Sequence, residues 1–173
     1  MSGTQSTPLE GKDVIFFDPG KLTGWARLTD GSVFSSGEGD FLRAGRIARS
    51  HCCHPEADEW DGMHLTEKLV GWEQFNIMPQ TWMMKGSQTA IEVIGMLRFV
   101  AEDEGATILP SISRQRKNMV SSELLQAFGW YRPGHGGHAN DAARLLVSWL
   151  MTSNNLPQDK LSVVAEHVKS VSR

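Results

Sequence analysis

The stretch Val14–Leu28, VIFFDPGKLTGWARL, decides the fold. Four apolar residues run directly into Asp18, and Pro19-Gly20 follows at once. Apolar residues at successive positions are the pattern of a strand buried on both faces, central in its sheet. Such a strand gains nothing from an ionised tip, because desolvating an unpaired charge is costly. Asp18 therefore either caps the Pro19-Gly20 turn or points to a place where a cation takes up its charge.

Working outward, Asp13–Asp18 is the first strand, and Trp25–Leu28 begins a second after a tight turn. Asp30-Gly31 supplies a hairpin turn, and Val33–Glu38 a short third strand, giving an antiparallel meander. Asp40–Met63 is polar and reads as irregular, although Arg43, Arg46 and Arg49 would share a face if a helix formed there. His64–Val70 permits a helix or the lead-in to a strand, and Leu69–Phe75 resembles a short strand carrying Glu73 near its end.

Pro79–Glu104 is the longest helical pattern, with Ile91, Ile94, Leu97 and Ala101 as its apolar stripe and Gly105 as the closing signal. Ala106–Leu109 is a further strand. Ser113 is the expected cap of one continuous helix ending at Gly129. A glycine-rich loop then leads into the apolar helix His138–Met151, and the tail from Asp159 has amphipathic spacing. Strands first, then strands alternating with helices, describe one α/β domain with a mixed sheet. Residues 1–12 read as a flexible N-terminus, 13–152 as the domain and 153–173 as a C-terminal tail.

The 173 residues suffice for one core, and 40% hydrophobic with 21% charged residues is an ordinary globular balance. The absence of an apolar run of about 20 residues or a signal-peptide core points to a cytoplasmic protein with no membrane partner. Adjacent Cys52 and Cys53 cannot build a disulfide framework. Nor do they have zinc-ligand spacing with His51, His54 and His64, so His51–Pro55 reads as a surface loop. At a net charge of −3, any nucleic-acid contact must come from a local patch.

Asp18, Glu73, His138 and Asp141 all fall at element ends, the last two on one helical face. Carboxylates with one imidazole suit Mg²⁺ or Mn²⁺, and a pair of such ions hydrolyses phosphodiesters. Each residue alone has a bland explanation; Asp141, for instance, would favour a helix N-terminus through the dipole. Arg114, Arg116 and Lys117 cluster at a helix start, where cations oppose the dipole and invite an outside anion.

The segments IFFDPGKLTGWA, WEQFNI and HANDAARLL, in this order, resemble the RuvC-type Holliday junction resolvases across about Asp13–Leu150. The resemblance implies a ribonuclease H-like fold with a mixed five-stranded sheet flanked by helices. It also implies a homodimer that nicks four-way and other branched DNA in a Mg²⁺-dependent reaction, two ions per site, with Mn²⁺ able to substitute. Asp18, Glu73, His138 and Asp141 would then be the metal ligands and catalytic groups. Lys117 would lie near the scissile phosphate, and Phe75, or alternatively Trp82, would unstack bases. Arg114 and Arg116 would meet DNA. The turn DPGKLTG is one residue shorter than in the bacterial enzymes, which is more like a bacteriophage-encoded relative. The other reading kept open is a ribonuclease H-like binding protein or hybrid-directed nuclease that resolves no junctions. The helix Pro79–Glu104, with Trp82, Met83 and Met84 beside its stripe, is the expected dimer surface, and His135 reads as a solvent-exposed loop residue, close enough to His138 to approach the metals.

Overall fold

The meander is present in the computed structural model, which describes residues 9, 11–53, 66–75, 85–134 and 137–171. Strands β1 (Lys12–Asp18), β2 (Thr23–Thr29) and β3 (Val33–Gly39) pair antiparallel. On its other side β1 pairs in parallel with β4 (Glu67–Trp72), which pairs in parallel with β5 (Thr107–Ile108). Among the described residues the sheet order is β3-β2-β1-β4-β5, with β1 central as its unbroken apolar run requires.

Strand periodicity divides the core in two. Val14 and Phe16 of β1 join Ala26, Leu28 and Leu69 under the helix α5 (His138–Thr152). Ile15 and Phe17 face the opposite way, with Val70 and Trp72, onto α1 (Phe41–Cys52) and α2 (Lys85–Asp103). Asp18 shares the parity of Val14 and Phe16, so the alternation alone sends it to the α5 side. Gly71 makes room for this arrangement, because a Cβ there would lie 2.4 Å from the Phe16 ring.

Several expectations are corrected. The segment after β3 is irregular in the sequence reading but forms α1, with the Asp40 side chain accepting the Arg43 N–H as its cap. Ala44, Ala48, His51 and Cys52 supply its buried face, so small residues rather than large ones hide the amphipathicity. His51 and Cys52 consequently lie in the core and not in a surface loop; His54, Pro55 and His64 fall outside the described residues. The stripe of α2 is offset from the expected one. Ala90, Val93, Leu97 and Ala101 are buried, whereas Ile91 and Ile94 sit at the margin. Leu97 and Ala101 thus pack on their own sheet and cannot form a dimer surface. Trp82, Met83, Met84 and residues 79–84 of the expected helix lie outside the described residues.

The expected helix from Ser113 to Gly129 is two: α3 (Arg114–Asn118), capped by Ser113, and α4 (Ser122–Phe128), capped by Ser121. Gly129 ends α4 in the left-handed conformation, φ 72°. The tail forms α6 (Gln158–Val171). Among the described residues no helix is long and apolar enough to cross a membrane.

On the buried face of α1, His51 Nε2–H donates to the Leu69 carbonyl at 3.2 Å. Burial pushes its imidazole down to about 4 from the ordinary 6.5. The unfolded chain therefore binds the proton first, and stability present above pH 6.5 is lost as pH falls toward 4. Up to roughly 3 kcal/mol rides on this window. Denaturant unfolding between pH 7 and about 4.5 is expected to show that fall, and a folded His51→Leu protein to lack it.

Candidate active site

The carboxyl ends of β1 and β4 set the site. Asp18 is the last residue of β1, opposite Gly24 of β2. Glu73 stands one residue beyond β4. Its N–H donates to the Phe17 carbonyl at 3.1 Å, and its backbone bridges to Ile112. These contacts hold the Glu73 backbone beside that of Asp18. Two residues past Ile112, α3 begins and brings Lys117 inward.

Helix α5 approaches from the other side. It starts after Gly137, at φ 96°, and Asn140 anchors the preceding loop through hydrogen bonds with both the N–H and the carbonyl of Arg132. The start of α5 lies almost on the backbone of β2. A Cβ at Gly24 would fall 1.9 Å from the His138 carbonyl oxygen, so only glycine permits the approach. That contact delivers His138 and Asp141 to Asp18.

All five residues singled out for chemistry therefore meet. Lys117 Nζ lies 2.7 Å from Glu73 Oε2, 3.0 Å from Asp18 Oδ1 and 3.3 Å from Asp141 Oδ2. His138 Nδ1 is 3.0 Å from Asp18 Oδ2. The Lys117 side chain is 5% exposed. It is thus a buried cation at the centre of the carboxylates, set apart from Arg114 and Arg116, which are exposed. The helix break also reverses the dipole reading: Arg116 and Lys117 occupy the last turn of α3, the end that favours cations. Phe75 is half-buried two residues past Glu73, and His135 lies outside the described residues.

The electrostatics follow from this crowding. Burial works against ionisation of Asp18, yet its hydrogen bonding with Glu73, the Lys117 charge and the His138 hydrogen bond carry it below the usual range. Burial raises Glu73, and its hydrogen bond with Asp18 raises it further. Burial also opposes the Lys117 charge, but Glu73 and Asp18 more than offset this and raise its pKa.

One contributor lies within the segment HANDAARLL but is not among the residues singled out for chemistry. Arg144 donates from Nε to the Val120 carbonyl, from Nη2 to Ser122 Oγ and from Nη1 to Asp141 Oδ1. It ties the α3–α4 junction to α5 and leaves Asp141 Oδ2 for the site. Its place one turn after Asp141, as the one basic Lys or Arg side chain of a largely apolar helix, is the signal available in the sequence.

Hard oxygen donors with one imidazole suit a divalent cation in kind. Among the described residues, however, no three such side chains are arranged to hold one; the point of convergence belongs to the Lys117 ammonium. Magnesium needs oxygens at about 2.0–2.1 Å, so these carboxylates would draw in and Lys117 would yield the centre. The donor chemistry fits, subject to that rearrangement.

No protein-family model matches the chain, and no curated protein matches it in sequence. Its shape is another matter. A structure of Thermus thermophilus RuvC in complex with a Holliday junction substrate superposes with a TM-score of 0.56 at 11% identity, covering 83% of this chain and 98% of that one. A second T. thermophilus RuvC structure gives 0.54 with the same identity and coverage. The chain has the RuvC-like, ribonuclease H-like fold. The mixed five-stranded sheet flanked by helices accords with the expectation from the three sequence segments.

Removing Lys117 would leave buried Asp18, and half-buried Glu73 and Asp141, without their counter-charge. Lys117→Met should lower stability by about 3–5 kcal/mol, read by denaturant unfolding in a chelating buffer. Unchanged stability would show that Lys117 does not hold the carboxylates in solution.

Proposed function

We propose that the protein is a divalent-metal-dependent endonuclease that cuts branched DNA, four-way junctions foremost. The observation that carries this reading is the convergence of Asp18, Glu73 and Asp141 on one cationic point, with His138 on Asp18, at the strand ends of a RuvC-like sheet. A protein that only binds nucleic acid gains nothing from gathering carboxylates where phosphate must approach. The junction bound in the T. thermophilus RuvC complex supports the choice of substrate.

Asp18, Glu73, His138 and Asp141 would hold Mg²⁺, or Mn²⁺ in its place, as two ions. Ions held there would supply an activated water and charge stabilisation for the leaving oxygen. His138 orients one oxygen of Asp18, and Arg144 fixes Asp141. Lys117, displaced from the carboxylates, is then free to meet the scissile phosphate. Arg114 and Arg116 take the DNA backbone on the α3 side, and Phe75 stacks against an opened base.

The test offers labelled four-way junction, flap, linear duplex and RNA–DNA hybrid with Mg²⁺ or Mn²⁺ and maps the cuts. Junction cutting is expected to dominate. Cutting confined to hybrid would replace the proposal with a hybrid-directed nuclease. Asp18→Asn keeps the shape and removes the central charge, so cutting should fall by more than about a thousandfold, roughly 4 kcal/mol of barrier. Near-normal cutting by the folded variant would remove the two-metal reading.

Paired cuts on a two-fold junction are met most simply by a two-fold dimer. Light scattering is therefore expected to give about twice the chain mass of 19.2 kDa. A protein that stays monomeric both free and on a junction would favour single nicks.

A further inference from the structure

Helix α1 carries Arg43, Arg46 and Arg49 at three-residue spacing, and the fold treats them differently. Arg49 is neutralised internally, 3.1 Å from Glu104 and 3.5 Å from Asp103. Arg43 and Arg46 are exposed and form no ion pair among the described residues. The helix has no acidic residue in its first turn to balance them.

The two unbalanced arginines are those at the catalytic end of the sheet. Asp18 pairs with Gly24, and Gly24 pairs with Glu38, next to Gly39. At about 4.8 Å per strand, the end of β3 lies roughly 10 Å from Asp18. The Arg43 stem lies across that end: a Cβ on Gly39 would come within 2.4 Å of its Cδ. A groove there of about 520 Å³ is lined by Gly39, Asp40, Leu42, Arg43 and Arg46. Its one carboxylate, Asp40, is engaged in capping α1 through the Arg43 N–H. Leu42, 65% exposed, adds an apolar wall suited to a sugar or base.

We propose that the Arg43–Arg46 groove at the end of β3 is a second DNA-backbone site, binding phosphates of the strand that runs from the carboxylate centre toward α1. This rests on the nuclease reading and extends it. With Arg114 and Arg116 on the α3 side, the acidic centre is then bracketed by cations on both flanks, although the chain is acidic overall. An anionic polymer crossing the centre meets attraction before and after the carboxylates that repel it.

Fluorescence anisotropy with a labelled four-way junction, over a series of salt concentrations in a chelating buffer, tests the site on the full chain. Each phosphate contact contributes a salt slope of about 0.9. The double variant R43Q/R46Q should therefore bind at least about tenfold more weakly near 0.1 M salt, with a slope shallower by roughly 2. R43K/R46K should retain most of the affinity, because a phosphate contact needs charge. An unchanged affinity and slope in R43Q/R46Q, while R114Q/R116Q weakens binding, would overturn this site and leave the nuclease reading standing. Equal losses in the Gln and Lys variants, accompanied by a lower melting temperature, would overturn it in favour of a structural role. Failure of the wild-type chain to bind any junction or duplex would overturn both.

Discussion

Lys117 Nζ touches a carboxylate from each of β1, the end of β4 and α5. Three carboxylates this close, with Asp18 buried and Glu73 and Asp141 only partly exposed, would repel one another and favour taking up protons. The ammonium lets them remain together. It also makes the site a set of donors already gathered around positive charge, so that a change of cation is an exchange rather than an assembly. The opposite shifts of Asp18 and Glu73, one lowered and one raised, are the signature of two acids sharing that small volume.

Backbone proximity matters as much as charge. Gly24 lets α5 settle against β2, and Gly71 leaves space for the Phe16 ring beneath it. The first brings His138 and Asp141 to the tip of β1; the second keeps the central strands covered. The Arg144 guanidinium then locks α5 to the junction of the two short helices, one of which carries Lys117. The acidic centre is thus held by packing from the sheet side and by directed hydrogen bonds from the helix side.

The arginines of α1 show how one repeated residue type acquires different meanings. Spacing puts all three on one face, but only Arg49 reaches the acidic end of α2. Self-neutralisation at one end and open charge at the other give the helix a polarity that its sequence does not contain.

What the sequence determined is what depends on periodicity and local geometry. The unbroken apolar run to Asp18 required a central strand, strand parity selected the face that Asp18 would share, and the three RuvC-like segments accorded with the fold observed. Asp18, Glu73, His138 and Asp141 were legible because each sits at an element end, where side chains converge. The tertiary structure alone decided the rest. Alanine and cysteine on the inner face of α1 give too little hydrophobic contrast to announce a helix, so the burial of His51 became visible only once α1 lay on the sheet. Lys117, 99 positions from Asp18, could be placed at the carboxylate centre only by the break between α3 and α4. Its position is fixed by contacts between elements remote in the chain, and no local pattern of residues encodes those distances.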